Sequence, residues 1–270
     1  SFEITTPEPR STNVFWSLSV EPFIRTTLLI ADWINELLSL TLKLWNKIST
    51  KNITRNVMIK FIKLAFENMN YQLKLNQILD EFEKKDISLD SHQKDITKKI
   101  LLLAIKIKDE TPFRIFTKTE FGLYLHGSVG RGKTLITRTI LDHVFKNYLY
   151  FHYADFLKHI RSELENLQSN KNPLKKIVSN LQNTRRVIFI DEFQVEDIAD
   201  AMILSDVIPS LIKKRSKIFF TSNFPIKGLY PNGLQRDKFI NSMSVLRDKL
   251  NYFQLKGDLD YRLRNIINQH

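Results

Sequence analysis

Hydrophobic and polar positions alternate with two different periods along this chain, and the period changes near residue 121. Before that point the spacing is helical. Met58, Phe61, Leu64 and Phe66, then Leu73, Leu75, Ile78, Leu79 and Phe82, recur at three- and four-residue steps and predict a helix over 56–85. Lys84-Lys85-Asp86 ends that pattern. A second helix is predicted after Asp90, with Ile96, Ile100, Leu101 and Leu103 on its apolar face, and Pro112 breaks the chain beyond it. After residue 121 short apolar runs alternate with longer helical stretches, the pattern of a parallel α/β sheet. The predicted strands are Leu123–His126, Tyr148–His152, Val187–Asp191, Lys217–Thr221 and Tyr252–Leu255. The helices expected between them are 133–145, 155–168, 174–182, 196–213 and 236–249, and the polar segment 166–175 reads as a surface loop.

The first 55 residues stand apart. Residues 1–22 are rich in Ser, Thr and Pro, lack periodicity and read as a loose arm. Glu3, Glu8 and Glu21 argue against a mitochondrial transit peptide, a class poor in acids. Phe23 to Trp45 is strongly apolar, and its length comes near to that of a bilayer span. Arg25, Asp32, Glu36 and Lys43 interrupt it, and each charge placed centrally in a bilayer costs a few kcal/mol. The first reading is therefore an amphipathic helix packed on a core or a partner. Association with a membrane surface comes second and a true span third.

Composition adds three constraints. Lys plus Arg number 41 against 29 Asp plus Glu, a net charge of +12, which invites anionic partners such as nucleotides, nucleic acid or lipid headgroups. There is no Cys, so disulfides, thiol nucleophiles and thiolate metal sites are excluded. Of only 7 glycines, four are Gly122, Gly127, Gly130 and Gly132, so a special backbone conformation is required there.

That requirement is explained by Gly127, Ser128, Val129, Gly130, Arg131, Gly132, Lys133 and Thr134, which fit G-x-x-x-x-G-K-[ST] between a predicted strand and a predicted helix. Small residues let successive N–H groups curl around phosphates, and the helix N-terminus adds its dipole. Lys133 is expected to reach the β- and γ-phosphates and Thr134 to offer its hydroxyl to Mg²⁺. Val187-Ile-Phe-Ile-Asp191-Glu192 is a buried strand ending in two carboxylates, at the edge where open α/β sheets bind ligands. Asp191 is placed for the Mg²⁺ shell and Glu192 to polarise an attacking water. Lys217-Ile-Phe-Phe-Thr221-Ser222-Asn223 is a third strand with a polar end, and Asn223 is a candidate to sense the γ-phosphate or the water. No guanine-reading N-K-x-D is present, which favours ATP.

Together these strings resemble the ZapE-like ATPases, known in eukaryotes as the mitochondrial "ATPase family gene one" group, within the AAA+ class. The most specific string is Asp191-Glu-Phe-Gln-Val-Glu-Asp-Ile-Ala-Asp-Ala-Met-Ile-Leu204. Leu229-Tyr-Pro-Asn-Gly-Leu-Gln-Arg236, Asp260-Tyr261-Arg262 and Asp90-x-x-Gln93 resemble further family motifs. Phe151-His152 with His159 resembles the family's paired histidines, although that spacing by itself suits packing or polar contacts better than metal ligation. The resemblance covers about residues 71–265 and implies a P-loop, AAA+-like, five-stranded parallel sheet flanked by helices, with a mainly helical N-terminal region. It also implies an ATP- and Mg²⁺-dependent homo-oligomer acting on a protein partner, either the bacterial cell-division ring protein or membrane proteins under quality control. Arg236 then becomes a candidate arginine finger for a neighbouring subunit, and Arg262 a weaker one. Arg131 is expected to face away from the phosphates. The compartment implied is the cytoplasm, with a peripheral membrane site allowed, in a bacterium and the mitochondrion in a eukaryote.

The expected division is 1–55 arm and apolar helix, 56–115 helical region, 116–265 ATPase core and 266–270 tail. Family members run well past the Asp-Tyr-Arg string while this chain stops at His270, an expectation of weakened turnover if the further region forms a lid or assembles the ring. Two other readings stay open. A DNA-linked loader or initiator ATPase would use the +12 charge, although no DNA-binding motif is present and nucleic acid is not favoured. A nucleotide-binding scaffold would bind ATP without turnover.

Overall fold

The computed structural model describes residues 55–110, 119–167 and 171–256, together with Ser39 and Lys43. The expected arm at 1–22, the break at Pro112 and the Asp260-Tyr261-Arg262 string lie outside these, as does the segment 23–45 apart from the two isolated residues. No helix among the described residues is long and apolar enough to cross a membrane.

The chain divides between Met69 and Asn70, inside α1 (Arg55–Lys84). Of the first unit, Ser39, Lys43 and the opening half of that helix are described, and there Lys63 Nζ lies 3.9 Å from Glu67 on an exposed face. The second unit holds the sheet. After the end of α1, α2 (Ser91–Lys108) starts at a reciprocal cap: the Asp90 carboxylate accepts from the Gln93 N–H, and the Gln93 side chain accepts from the Asp90 N–H.

Five strands follow: β1 (Gly122–His126), β2 (Leu149–His152), β3 (Val187–Asp191), β4 (Lys217–Ser222) and β5 (Asn251–Gln254). They are separated by α3 (Lys133–Val144), α4 (Tyr153–Asn166) with α5 (Pro173–Thr184), α6 (Ile198–Lys213) and α7 (Arg236–Lys249). Every pairing is parallel, and the spatial order is β2-β3-β4-β1-β5. This is the five-stranded parallel sheet the patterning predicts. The central strands β1 and β3 are buried along their whole length, whereas the edge strands β2 and β5 are only half-buried. Buried on both faces, β1, β3 and β4 read as continuous apolar runs rather than alternations.

The pleat sends alternate side chains to two cores. Tyr124, Ile188, Ile190, Ile218 and Phe220 face the core roofed by α4 to α7. Leu123, Leu125, Phe189 and Phe219 face the other, where α2, α3 and the second half of α1 pack. Boundaries move by one to three residues from the sequence expectation, each with a local cause. α6 begins at Ile198 rather than 196 because the Asp197 carboxylate caps the Asp200 N–H. α5 begins at Pro173, whose missing N–H is harmless in a first turn. β2 begins after Tyr148, whose hydroxyl donates to Asp142 on α3 at 2.7 Å.

The strand order places the chemistry. β4 lies between β1 and β3, so its end is flanked by the phosphate loop after β1 and by the carboxylates that close β3. All three motifs meet at the C-terminal edge of the sheet, at a reversal of strand order, which is where open α/β sheets form ligand crevices.

Candidate nucleotide site

The loop from Gly127 to Gly132 links β1 to α3. Gly130 and Gly132 both have positive φ, +77° and +79°, the left-handed conformation that glycine adopts without strain. Gly132 also serves as the N-cap of α3 without any side-chain cap, leaving the helix's first N–H groups available to an anion. Gly127 faces a different constraint: a Cβ there would lie 2.3 Å from the Leu255 carbonyl oxygen. At the loop tip, Ser128 and Val129 are exposed.

Lys133 is buried, with 8% of its surface exposed, and its ammonium donates to three oxygens. These are the carbonyls of Gly127 (2.9 Å) and Ser128 (2.7 Å) and Oδ1 of Asn223 (2.9 Å). The next residue, Thr134, donates its hydroxyl to Asp191 Oδ1 at 2.7 Å. The loop, the start of α3, the end of β3 and the end of β4 are thus joined side chain to side chain through Lys133, Thr134, Asp191 and Asn223.

Asp191 is 2% exposed and accepts from two hydroxyls that sequence reasoning did not assign. Thr221 donates to Oδ1, and Tyr150 donates to Oδ2 at 3.2 Å. Burial first, and then the Asp191 charge, raise the Tyr150 pKa, so the phenol keeps its proton and remains a donor. Thr221 was visible only as part of a Thr-Ser-Asn string. Its role follows from β4 lying beside β3, where Ile190 pairs with Phe220 and Asp191 comes next. Tyr150 lies on β2 two residues before His152, the register partner of Asp191, and so on the same face. The Thr134 hydroxyl and the Asp191 carboxylate are hard oxygen donors of the type Mg²⁺ takes, and this donor set fits that ion.

Glu192 leaves the strand with φ +54°, a strained conformation for a residue with a side chain. Its N–H donates to Thr221 Oγ1 at 3.1 Å, so one buried hydroxyl holds both consecutive acids. Its carboxylate is half-exposed at the mouth of the site, with Oε2 3.7 Å from His152 Nε2. His159, two helix turns further along, instead stacks on Phe151 with ring centres 5.6 Å apart. Just before the loop, His126 is buried, and its pKa is lowered, first by that burial and then by the Lys133 charge.

Two predicted residues stand apart from this cluster. Arg236 opens α7 and donates to the Lys227 carbonyl rather than to any residue of the loop among those described. Arg131, inside the loop, turns away from it: its guanidinium donates to Asp90 Oδ2 (3.1 Å) and to the Lys256 carbonyl (2.8 Å).

Comparison with known proteins finds relatives of this chain. The ZapE cell division protein of Escherichia coli K12 is 34% identical over 152 residues, covering 55% of this chain and 40% of that protein. Lactation elevated protein 1 homolog B of Danio rerio is 30% identical over 157 residues, covering 54% of this chain and 31% of that protein. The chain therefore spans less than half the length of these curated relatives. Among solved structures, that of DnaI aligns at 21% identity with a TM-score of 0.47, covering 65% of this chain and 88% of that one. The family model described as AFG1-like ATPase matches residues 69–270, three quarters of the sequence and all of the sheet, and the chain belongs to that family.

Proposed function

We propose that this protein binds and hydrolyses ATP with Mg²⁺, and that it works as an AAA+ homo-oligomer that remodels or regulates a protein partner. The observation that carries the proposal is the convergence of three strand ends on one cluster: Lys133 Nζ 2.9 Å from Asn223 Oδ1, and Thr134 Oγ1 2.7 Å from Asp191 Oδ1. A chance glycine-rich turn would have no reason to be bonded to the ends of two other strands.

In this reading the loop N–H groups hold the α- and β-phosphates, and Lys133 exchanges part of its oxygen set for the β- and γ-phosphates. Thr134 and Asp191 would hold Mg²⁺, which would supply charge neutralisation for the phosphates. Glu192 orients the attacking water and takes its proton, and Asn223 reports the γ-phosphate to the rest of the sheet end. Arg236 acts across an interface on the nucleotide of a neighbouring copy, a contribution worth about 10³–10⁵ in rate for arginine fingers. The likeness to ZapE, a cell division protein, supports a partner among cell-division proteins.

The test is phosphate release from ATP against protein concentration, with Lys133→Ala as the blank. Specific activity is expected to rise with concentration, and Arg236→Ala to remove that rise. Tight ATP binding with no release at any concentration would refute hydrolysis in favour of a nucleotide-binding scaffold. Equal loss of activity by Arg236→Ala in the dilute monomer would refute the role across an interface.

A further inference from the structure

Arg131 is a cation inside a phosphate-binding loop, yet it is 3% exposed and bonded on the far side. Its Nη2 reaches Asp90 Oδ2 at 3.1 Å and the Lys256 carbonyl at 2.8 Å. Its own carbonyl accepts from Gln93 Nε2 at 3.0 Å. Gln93 is 2% exposed, and its Oε1 accepts the Asp90 N–H at 2.8 Å, while Asp90 Oδ1 accepts the Gln93 N–H at 2.7 Å. The cap of α2 is thus also a clamp on the loop. One Asp90 oxygen starts the helix and the other holds Arg131, and the two ends of the Gln93 amide do the same. A further tie, His92 Nε2 3.1 Å from the Gln254 carbonyl, joins the same helix start to the end of β5.

The loop needs such an anchor. Arg131 sits between Gly130 and Gly132, both at positive φ, so the backbone on either side of it is the least restrained kind. Turning the Arg131 carbonyl outward onto Gln93 helps set the orientation of the flanking peptides. Order imposed before binding need not be imposed by the ligand.

We propose that Asp90, Gln93 and Arg131 form a positioning clamp that holds the phosphate loop in its nucleotide-ready shape and ties that shape to the segment leaving β5. The inference rests on the ATP-binding reading of this site. The side chains of Arg131 and Asp90 act through the loop and touch no nucleotide. If loss of the clamp leaves the loop competent one tenth of the time, the apparent Kd for ATP rises about tenfold.

The experiment uses the full chain and Mg²⁺-ATP, measuring Kd by calorimetry and KM and kcat from phosphate release. The variants are Arg131→Ala, Arg131→Lys, Asp90→Asn and the double Asp90→Asn/Arg131→Ala, with Lys133→Ala alongside. Asn caps helices as well as Asp does, so Asp90→Asn keeps α2 and removes only the charge facing Arg131. We expect Kd and KM to rise about tenfold in Arg131→Ala, with kcat within about twofold and the double variant no worse than the worse single. Arg131→Lys should recover only part, because one ammonium cannot reproduce the guanidinium fork. Unchanged Kd in the folded variants, or additive losses, would overturn the clamp; a role in stability alone would lower Tm and leave KM untouched. Should Arg131→Ala fail to fold, an unchanged Kd in Asp90→Asn overturns it. Wild-type protein that binds ATP no better than Lys133→Ala would overturn the ATP-binding reading and the clamp together, whereas tight wild-type binding with indifferent variants overturns the clamp alone.

Discussion

Replacing Lys133 by Met separates the ammonium from the stem that carries it, and its effect can be worked from the three oxygens around Nζ. A unit charge about 4 Å from a phosphate charge gains about 4 kcal/mol at the effective dielectric of about 20 that suits protein sites. To reach the phosphates the ammonium must give up at least one of its present partners, the Gly127 and Ser128 carbonyls and Asn223 Oδ1. A hydrogen bond from a charged group is worth about 1.5–3 kcal/mol net. The difference, about 1–2.5 kcal/mol, corresponds to a loss of about fivefold to seventyfold in ATP affinity. A second phosphate charge would raise this figure and the loss of a second partner would lower it. In the absence of ATP the two effects of Met oppose each other. The carbonyls lose a donor, at about 1–3 kcal/mol for each that stays buried, while a buried charge is removed. Absolute Tm is therefore a poor readout and the ATP-induced shift a good one. At a concentration 100 times the wild-type Kd, ATP should stabilise the wild type by about 2.7 kcal/mol, or about 5–11 °C at this chain length. For a variant binding tenfold more weakly, the same ATP gives about 1.4 kcal/mol, half the shift. Calorimetric titration at fixed salt checks the affinity directly. An unchanged Kd and an unchanged ATP-induced shift in Lys133→Met would refute the assignment of this loop to phosphate.

Thr221→Val removes the hydroxyl that holds Asp191 and the Glu192 N–H together. Single-turnover phosphate release should slow by about tenfold or more while ATP affinity changes little, since misplacing a positioned base costs rate rather than binding. Gly127→Ala drives a Cβ to 2.3 Å from the Leu255 carbonyl oxygen, a backbone atom that cannot rotate aside, and urea unfolding should register a loss of about 1–3 kcal/mol. His126 has a pKa below its ordinary 6.5 in the folded protein, because burial and then Lys133 oppose its charge. The unfolded chain binds the extra proton first, so this contribution is fully present above about 6.5 and is lost as pH falls below it. Denaturant midpoints between about pH 5 and 8 should show that slope in the wild type and a flatter one in His126→Gln, and equal slopes would exclude His126 as the source.

The order of elements from residue 55 onward, the parallel sheet and the four central residues of the site follow from local information. Val187–Asp191 and Lys217–Ser222 are apolar runs ending in polar residues because a strand buried on both faces must be apolar until it emerges at the ligand edge. Gly130 and Gly132 appear where only a left-handed backbone turns N–H groups inward, and that requirement is local too. What spacing along the chain could not supply is which strand lies beside which. With β4 between β1 and β3, Thr221 reaches Asp191 from 30 residues away and Asn223 reaches Lys133 from 90, pairings with no periodic signature. Tyr150 reaches Asp191 for the same reason, from a strand that follows β1 in sequence and lies three places from it in the sheet. Arg131 makes the same point through charge. Its sequence context sets a cation among phosphate-binding glycines, but only the packing of α2 against the loop supplies Asp90 and Gln93, and with them the reason the guanidinium turns outward. Local chemistry selected the residue types of the site; the sheet order and the docking of one helix, both long-range, decided which of them touch.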